Sequence, residues 1–210
     1  MTLYTAPPPD AVVVCLDELG PIEARTYPGR RLVGPPTPAR PRPRAPQALD
    51  YGRRGYGFLY GAFVPATGAA VTAPFPRRNG AGWVAFLAQV DAWLAATPGR
   101  VYAILDNLPS HRTEDALLFA VAHPRWEFVF QPVAAGYLNL IEPWWAVLRS
   151  LALAGRRFAD WAELATAFAA ATAYWNAHRH PFVWGRRSPT RRKRRMAGVG
   201  RAPIFVSPLN

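Results

Sequence analysis

Residues 101–145 read VYAILDNLPSHRTEDALLFAVAHPRWEFVFQPVAAGYLNLIEPWW, and two acids in this stretch decide how the chain is built. Asp106 closes the apolar run Val101, Tyr102, Ala103, Ile104, Leu105, which reads as a buried strand. Asn107, Pro109 and Ser110 then break the run as a loop does. A carboxylate at the tip of such a strand lies at the edge of a sheet, where α/β proteins build their sites. Glu142 sits in the mostly apolar and aromatic segment 137–145, so its charge must face water, a partner or a metal. Between the two acids lie 35 residues (142 − 106 − 1).

Working outward, residues 11–16 form a β-branched strand that ends in Asp17 and Glu18, with Gly20-Pro21 as its stop. Residues 22–50 are rich in Pro and Arg, which excludes a helix or a central strand and predicts a basic surface insertion, with one short strand near 25–32. Residues 57–64 and 69–75 are strands joined by the turn Pro65-Ala66-Thr67-Gly68, and Pro74 and Pro76 mark the second as an edge strand. From 81 to 96, Trp83, Phe86, Leu87, Val90 and Leu94 recur at helical spacing. Helices are predicted over 112–122, from about 139, where Pro143 is tolerated in the first turn, and over 160–178; residues 127–130 form a short strand. This order predicts a mixed sheet with helices on its faces.

A chain of 210 residues fits one domain. It has no run of about 18 uncharged apolar residues and no basic-then-apolar leader pattern, so the expectation is a soluble cytoplasmic protein with no membrane partner. The single Cys15 excludes an intrachain disulfide and a cysteine-based zinc site, and its apolar setting predicts a buried thiol. The formal charge of +12 points to a polyanion, DNA or RNA, as partner. Only Lys193 among the 25 basic residues is a lysine. GC-rich coding accounts for the arginine bias, so the net charge carries the inference.

Three acids, Asp17, Asp106 and Glu142, come from two strand ends and the start of a helix. If the strands of Asp17 and Asp106 are neighbours, the two carboxylates share one sheet edge, and acids packed closely repel unless cations neutralise them. Oxygen ligands without His or Cys favour Mg²⁺ or Mn²⁺. Two such ions, roughly 3.5–4 Å apart, activate a nucleophile and stabilise a leaving oxygen in phosphodiester cleavage. Each acid also has a structural explanation: turn chemistry for Asp106, the helix dipole for Glu142, and for Asp17 competition from its neighbour Glu18. The joint pattern favours function.

Cys15-Leu16-Asp17-Glu18, residues 51–63 leading into Ala66-Thr67-Gly68, Ile104-Leu105-Asp106-Asn107 with Ser110-His111, Gln131-Pro132, Leu138-Asn139-Leu140-Ile141-Glu142, and the late Asn176 with Pro181-Phe182-Val183-Trp184 together resemble one family. It is the catalytic domain of mariner-type bacterial insertion-sequence transposases, in the DDE superfamily of endonucleases with a ribonuclease H-like fold. The resemblance implies an α/β fold with a mixed five-stranded sheet and helices on both faces. It also implies a two-metal (Mg²⁺ or Mn²⁺) nuclease that nicks DNA at transposon ends and joins the freed 3′-hydroxyl to target DNA. Asp17, Asp106 and Glu142 match the catalytic, metal-holding acids, with Asp17 as the bridging ligand. Asn107 and Asn139 match supporting polar residues, with Asn139 one helical turn before Glu142 and on its face. His111 matches a contact to DNA phosphate or the site rim, or a helix-capping neighbour of Ser110.

The catalytic domain is expected over residues 1–185, followed by a basic tail over 186–210. In that tail Arg191, Arg192, Lys193, Arg194 and Arg195 grip DNA phosphate, or form a solvated tail. Relatives carry N-terminal helix-turn-helix segments, and this chain begins 16 residues before Asp17. That predicts either a catalytic half paired with a separately encoded helix-turn-helix subunit or a truncated remnant; a homodimer is a further expectation. The loop Val133-Ala134-Ala135-Gly136-Tyr137 departs from the serine-rich segment of relatives. Trp144 and Trp145 read as core, and His178 and His180 lack partners at metal spacing. Two other functions fit the basic chain, a catalytically inactive DNA-binding remnant and a structure-selective nuclease.

Overall fold

The computed structural model describes residues 2–29, 50, 52, 54–132 and 135–182. Its sheet is built from β1 (Ala11–Glu23), β2 (Tyr56–Val64), β3 (Ala69–Phe75), β4 (Arg100–Leu105) and β5 (Trp126–Phe130), in the order β3-β2-β1-β4-β5. The β1-β2 and β2-β3 pairs are antiparallel, while β1-β4 and β4-β5 are parallel, so the sheet is mixed. The helices are α1 (Thr2–Thr5), α2 (Gly80–Trp93), α3 (Glu114–Ala122), α4 (Ile141–Leu153) and α5 (Trp161–Ala177). β3 is an edge strand, as its prolines require.

Strand alternation sorts the core into two layers. Val13 and Cys15 of β1 face α4 and α5, where Trp144, Leu148, Phe168 and Trp175 complete the packing. Val12, Val14 and Leu16 face the opposite side, where Trp83, Phe86, Leu87 and Val90 of α2 and Phe119 of α3 cover them. Each fully buried Leu or Phe of this kind stabilises the fold by about 1.5–3 kcal/mol. Trp144 stacks on Phe63 of β2 with centroids 5.5 Å apart, so Trp144 and Trp145 are core residues, as expected. Asn79, Thr113 and Asp160 each accept a backbone N–H at the start of α2, α3 and α5, which fixes where those helices begin.

Three expectations are corrected. Gly20-Pro21 does not end β1: the strand runs on to Glu23 through a register shift between Leu19 and Ile22, because β2 still offers pairing partners as far as Tyr56. Residues 22 and 23 therefore belong to the sheet, and a Pro/Arg-rich excursion starts later than 22. The helix placed over 112–122 begins at Glu114, after a 3-10 turn at Pro109–Arg112. In the region of the short strand near 25–32, the described residues hold one isolated bridge, Thr26 to Arg157. Residues 30–49, the loop positions 133 and 134 and the basic run Arg191 to Arg195 lie outside the described residues. Among the described residues no helix is long and apolar enough to cross a membrane.

Candidate active site

The β1-β4 pairing runs parallel from Ala11↔Arg100 to Cys15↔Ile104, a constant offset of 89 residues (104 − 15). Carried two residues further, the same offset sets Asp17 opposite Asp106 (106 − 17 = 89). Both acids stand just past the last pair of the parallel β1-β4 ladder, on the side where open α/β sheets hold their ligands. Asp17 is not at the end of its own strand. It lies just past the β4 ladder while β1 continues against β2, pairing with Gly61.

Asp17 points toward α4. The Trp145 indole N–H donates to its Oδ2 at 3.1 Å, and the Glu18 backbone adds a hydrogen bond. The ring reaches this position because position 61 is glycine: a Cβ there would stand 2.3 Å from Trp145 Cη2. Asn139 fixes the start of α4 from beneath. Buried, it donates from Nδ2 to the Leu16 carbonyl at 2.9 Å, and its own carbonyl accepts the Glu142 N–H at 3.1 Å. Tyr4 of α1 donates to the Leu138 carbonyl at 2.7 Å and lies 3.2 Å from Cys15 Sγ, closing the floor. Glu142 is exposed in the first turn of α4. Burial, and then the charge of Glu142, push the Asp17 carboxyl up to about 7.

Asp106 is held from the other side. Its Oδ1 accepts the Leu108 N–H at 3.0 Å and lies 3.0 Å from His111 Nδ1. Its side chain is 40% exposed, and among the described residues nothing donates to Oδ2. Burial opposes ionisation, but the bonds from His111 and Leu108 and the charges of His111 and Arg78 outweigh it and lower the Asp106 pKa. His111 is buried against Trp83, ring centroids 4.0 Å apart, with its Nε2 3.0 Å from Glu18 Oε2. Burial alone would lower its pKa, but the two carboxylates raise it to about 9.

The expectations for supporting residues change accordingly. Asn139 is not on the helical face of Glu142: α4 starts at Ile141, and the Asn139 side chain is spent on Leu16. His111 is buried between Glu18 and Asp106 rather than standing on the rim. Asn107 donates to the Gln131 carbonyl and accepts from Arg112, so it ties the loop after β4 to the end of β5. Glu18 entered the sequence reading only as a neighbour of Asp17, either supporting it or solvated, and the contact of Trp145 with Asp17 was not foreseen. The signal for Glu18 was alternation: adjacent to Asp17 on a strand covered on both faces, it had to be buried and partnered.

An all-oxygen donor set with one open carboxylate oxygen fits a hard divalent cation. Among the described residues no group of three His, Cys, Asp or Glu side chains closes to coordinating distance.

The model of the DDE superfamily endonuclease family matches residues 12–165, well over half of the chain. Among solved structures, the fold matches the Mos1 transposase paired-end complex with the left transposon end at TM-score 0.63 and 17% identity, over 86% of this chain and 52% of that one. The Mos1 mariner paired-end complex with Mn matches at 0.59 and 18%, over 81% and 49%. The catalytic domain of the Mos1 mariner transposase matches at 0.58 and 14%, over 87% and 78%. This chain thus spans about half the length of the first two. Comparison with curated proteins finds no significant match. At these identities the likeness establishes the mixed five-stranded, ribonuclease H-like fold, and the family model establishes the lineage: the chain belongs to the DDE superfamily endonuclease family.

Proposed function

We propose that the chain is the catalytic domain of an insertion-sequence transposase, which cuts DNA at transposon ends and transfers the freed strand to target DNA. The observation that carries this reading is the register that sets Asp17 level with Asp106 on parallel strands, with Glu142 near enough to raise the Asp17 pKa. Asp17, the open Oδ2 of Asp106 and Glu142 are the residues to hold Mg²⁺ or Mn²⁺. Bound there, the ions supply activation of the attacking hydroxyl and neutralisation of the leaving oxygen. The protein's part is orientation. Trp145 fixes Asp17, Asn139 anchors the first turn of α4 to β1, and Leu108 and His111 fix Asp106.

The charge of +12 suits a DNA partner, both transposon ends and target, and Arg191 to Arg195 are the proposed phosphate contacts. A separately encoded helix-turn-helix subunit and a homodimer belong to the same proposal, which places the protein in the cytoplasm on the nucleoid. The test is nicking of a plasmid carrying the element's terminal repeats, with Mg²⁺ or Mn²⁺. The wild type is expected to nick, and Asp106→Asn to be inert. Full activity in that variant, or cleavage that persists in a chelator, would refute the proposal. Salt-sensitive DNA binding with no product at any divalent ion concentration would establish the inactive remnant instead.

A further inference from the structure

We propose that Glu18 and His111 form a buried positioning pair that fixes the Asp106 carboxylate for divalent-metal binding, an inference resting on the metal-dependent reading above. A free carboxylate rotates broadly about its terminal torsion. Here the Leu108 N–H donates to Oδ1 at 3.0 Å, and His111 Nδ1 stands 3.0 Å from the same oxygen and 3.4 Å from the Asp106 carbonyl, which leaves Oδ2 as the open oxygen. His111 is in turn fixed at its far nitrogen by Glu18 Oε2 at 3.0 Å and along its face by Trp83.

Glu18 cannot reach the metal-facing side directly. It follows Asp17 on β1 and therefore projects to the opposite face of the sheet, toward α2. Its side chain is only 1% exposed, and among the described residues His111 is its only side-chain partner and Oε1 is left unsatisfied. A buried acid held this incompletely is a poor device for stability, since a well-packed apolar side chain of similar volume serves that purpose better. The arrangement makes sense as a brace that runs through the sheet, from Glu18 by way of His111 to Asp106. Carboxylates that ligate metals are commonly held by such outer hydrogen bonds, and removing one typically weakens metal affinity by about 10–100-fold.

The experiment is calorimetric titration of the full chain with MnCl₂ in the absence of DNA, with melting in EDTA as a check of the fold. Wild type is expected to bind Mn²⁺ and Asp106→Asn to lose it. His111→Ala and Glu18→Gln are each expected to bind about 10-fold more weakly or worse, and His111→Gln, whose amide still donates toward Asp106, to recover part of the loss. If His111→Ala fails to fold, Glu18→Gln carries the measurement, because it exchanges a single group. An unchanged Mn²⁺ affinity in folded Glu18→Gln, whatever its melting temperature, would overturn the pair and leave the metal reading intact. A wild type that binds no Mn²⁺ would overturn the metal reading and the pair with it.

Discussion

Replacing Gly61 with alanine tests whether the sheet leaves room for the residue that orients Asp17. The added Cβ would lie 2.3 Å from Trp145 Cη2, 2.7 Å from Cζ2 and 3.2 Å from Ile141 Cδ1. Carbon atoms rest at about 3.5–4.0 Å, so the ring must retreat by about an ångström. The ring is buried between β2 and Trp144 and has little space to do so. Overpacking of this kind costs about 1–3 kcal/mol, and loss of the indole hydrogen bond to Asp17 adds about 1 kcal/mol. The sum, about 2–4 kcal/mol, lowers the melting temperature by about 5–15 °C for a chain of this size. Melting followed by circular dichroism in EDTA measures it. Trp145→Phe removes the part of the ring that meets position 61, so the double variant Gly61→Ala/Trp145→Phe should be more stable than the sum of the singles by about 1–2 kcal/mol. Strict additivity, or a Gly61→Ala protein that melts with wild type, would refute the packing argument.

Further outcomes follow from the same contacts. Because the Asp17 carboxyl is raised from 3.8 to about 7, the native metal-free protein retains a proton that the unfolded chain has released. Its stability relative to Asp17→Asn should therefore fall as pH rises from about 4 to 7, by up to about 4 kcal/mol; denaturant melts in EDTA across that range would contradict this if the two proteins kept a constant difference. Cys15 is buried and its thiol is pushed up to about 12, so iodoacetamide should label it only at the rate of unfolding, and prompt labelling of the native protein would count against the packing described. Asp160→Ala removes the side-chain cap that accepts the Glu163 N–H at 2.8 Å and should cost about 1 kcal/mol in chemical denaturation, whereas no loss would mean that the cap is idle.

Much of the sheet was legible because its strands are short apolar runs with clear ends: 101–105 and the hairpin over 57–75 match their observed elements to within a residue or two. The stripe Trp83, Phe86, Leu87, Val90 is fully buried, as its period required. β1 was read too short because a Gly-Pro step normally ends a strand, and only the partner strand shows that pairing resumes after the register shift. Asn139 was misplaced for a related reason. Spacing from Glu142 assumes that the helix already exists at 139, whereas the chain there is still leaving a 3-10 turn. The sequence named Asn107, Asn139 and His111 as supports, but not the contacts through which they act, nor the part of Trp145. Trp145 reads as core and is core, and its N–H finds Asp17 only through a glycine 84 residues earlier (145 − 61). The link from Glu18 to His111 joins residues 93 positions apart, a contact that no local pattern encodes.

The central claim is that Asp17, Asp106 and Glu142 together hold a catalytic divalent cation. Crystals grown with MnCl₂ and examined by anomalous diffraction test it most directly. The account predicts manganese bonded to Asp17, to the Oδ2 of Asp106 and to Glu142, with His111 still against Oδ1. Manganese found only elsewhere on the protein, or the three carboxylates left unligated at saturating metal, would contradict it.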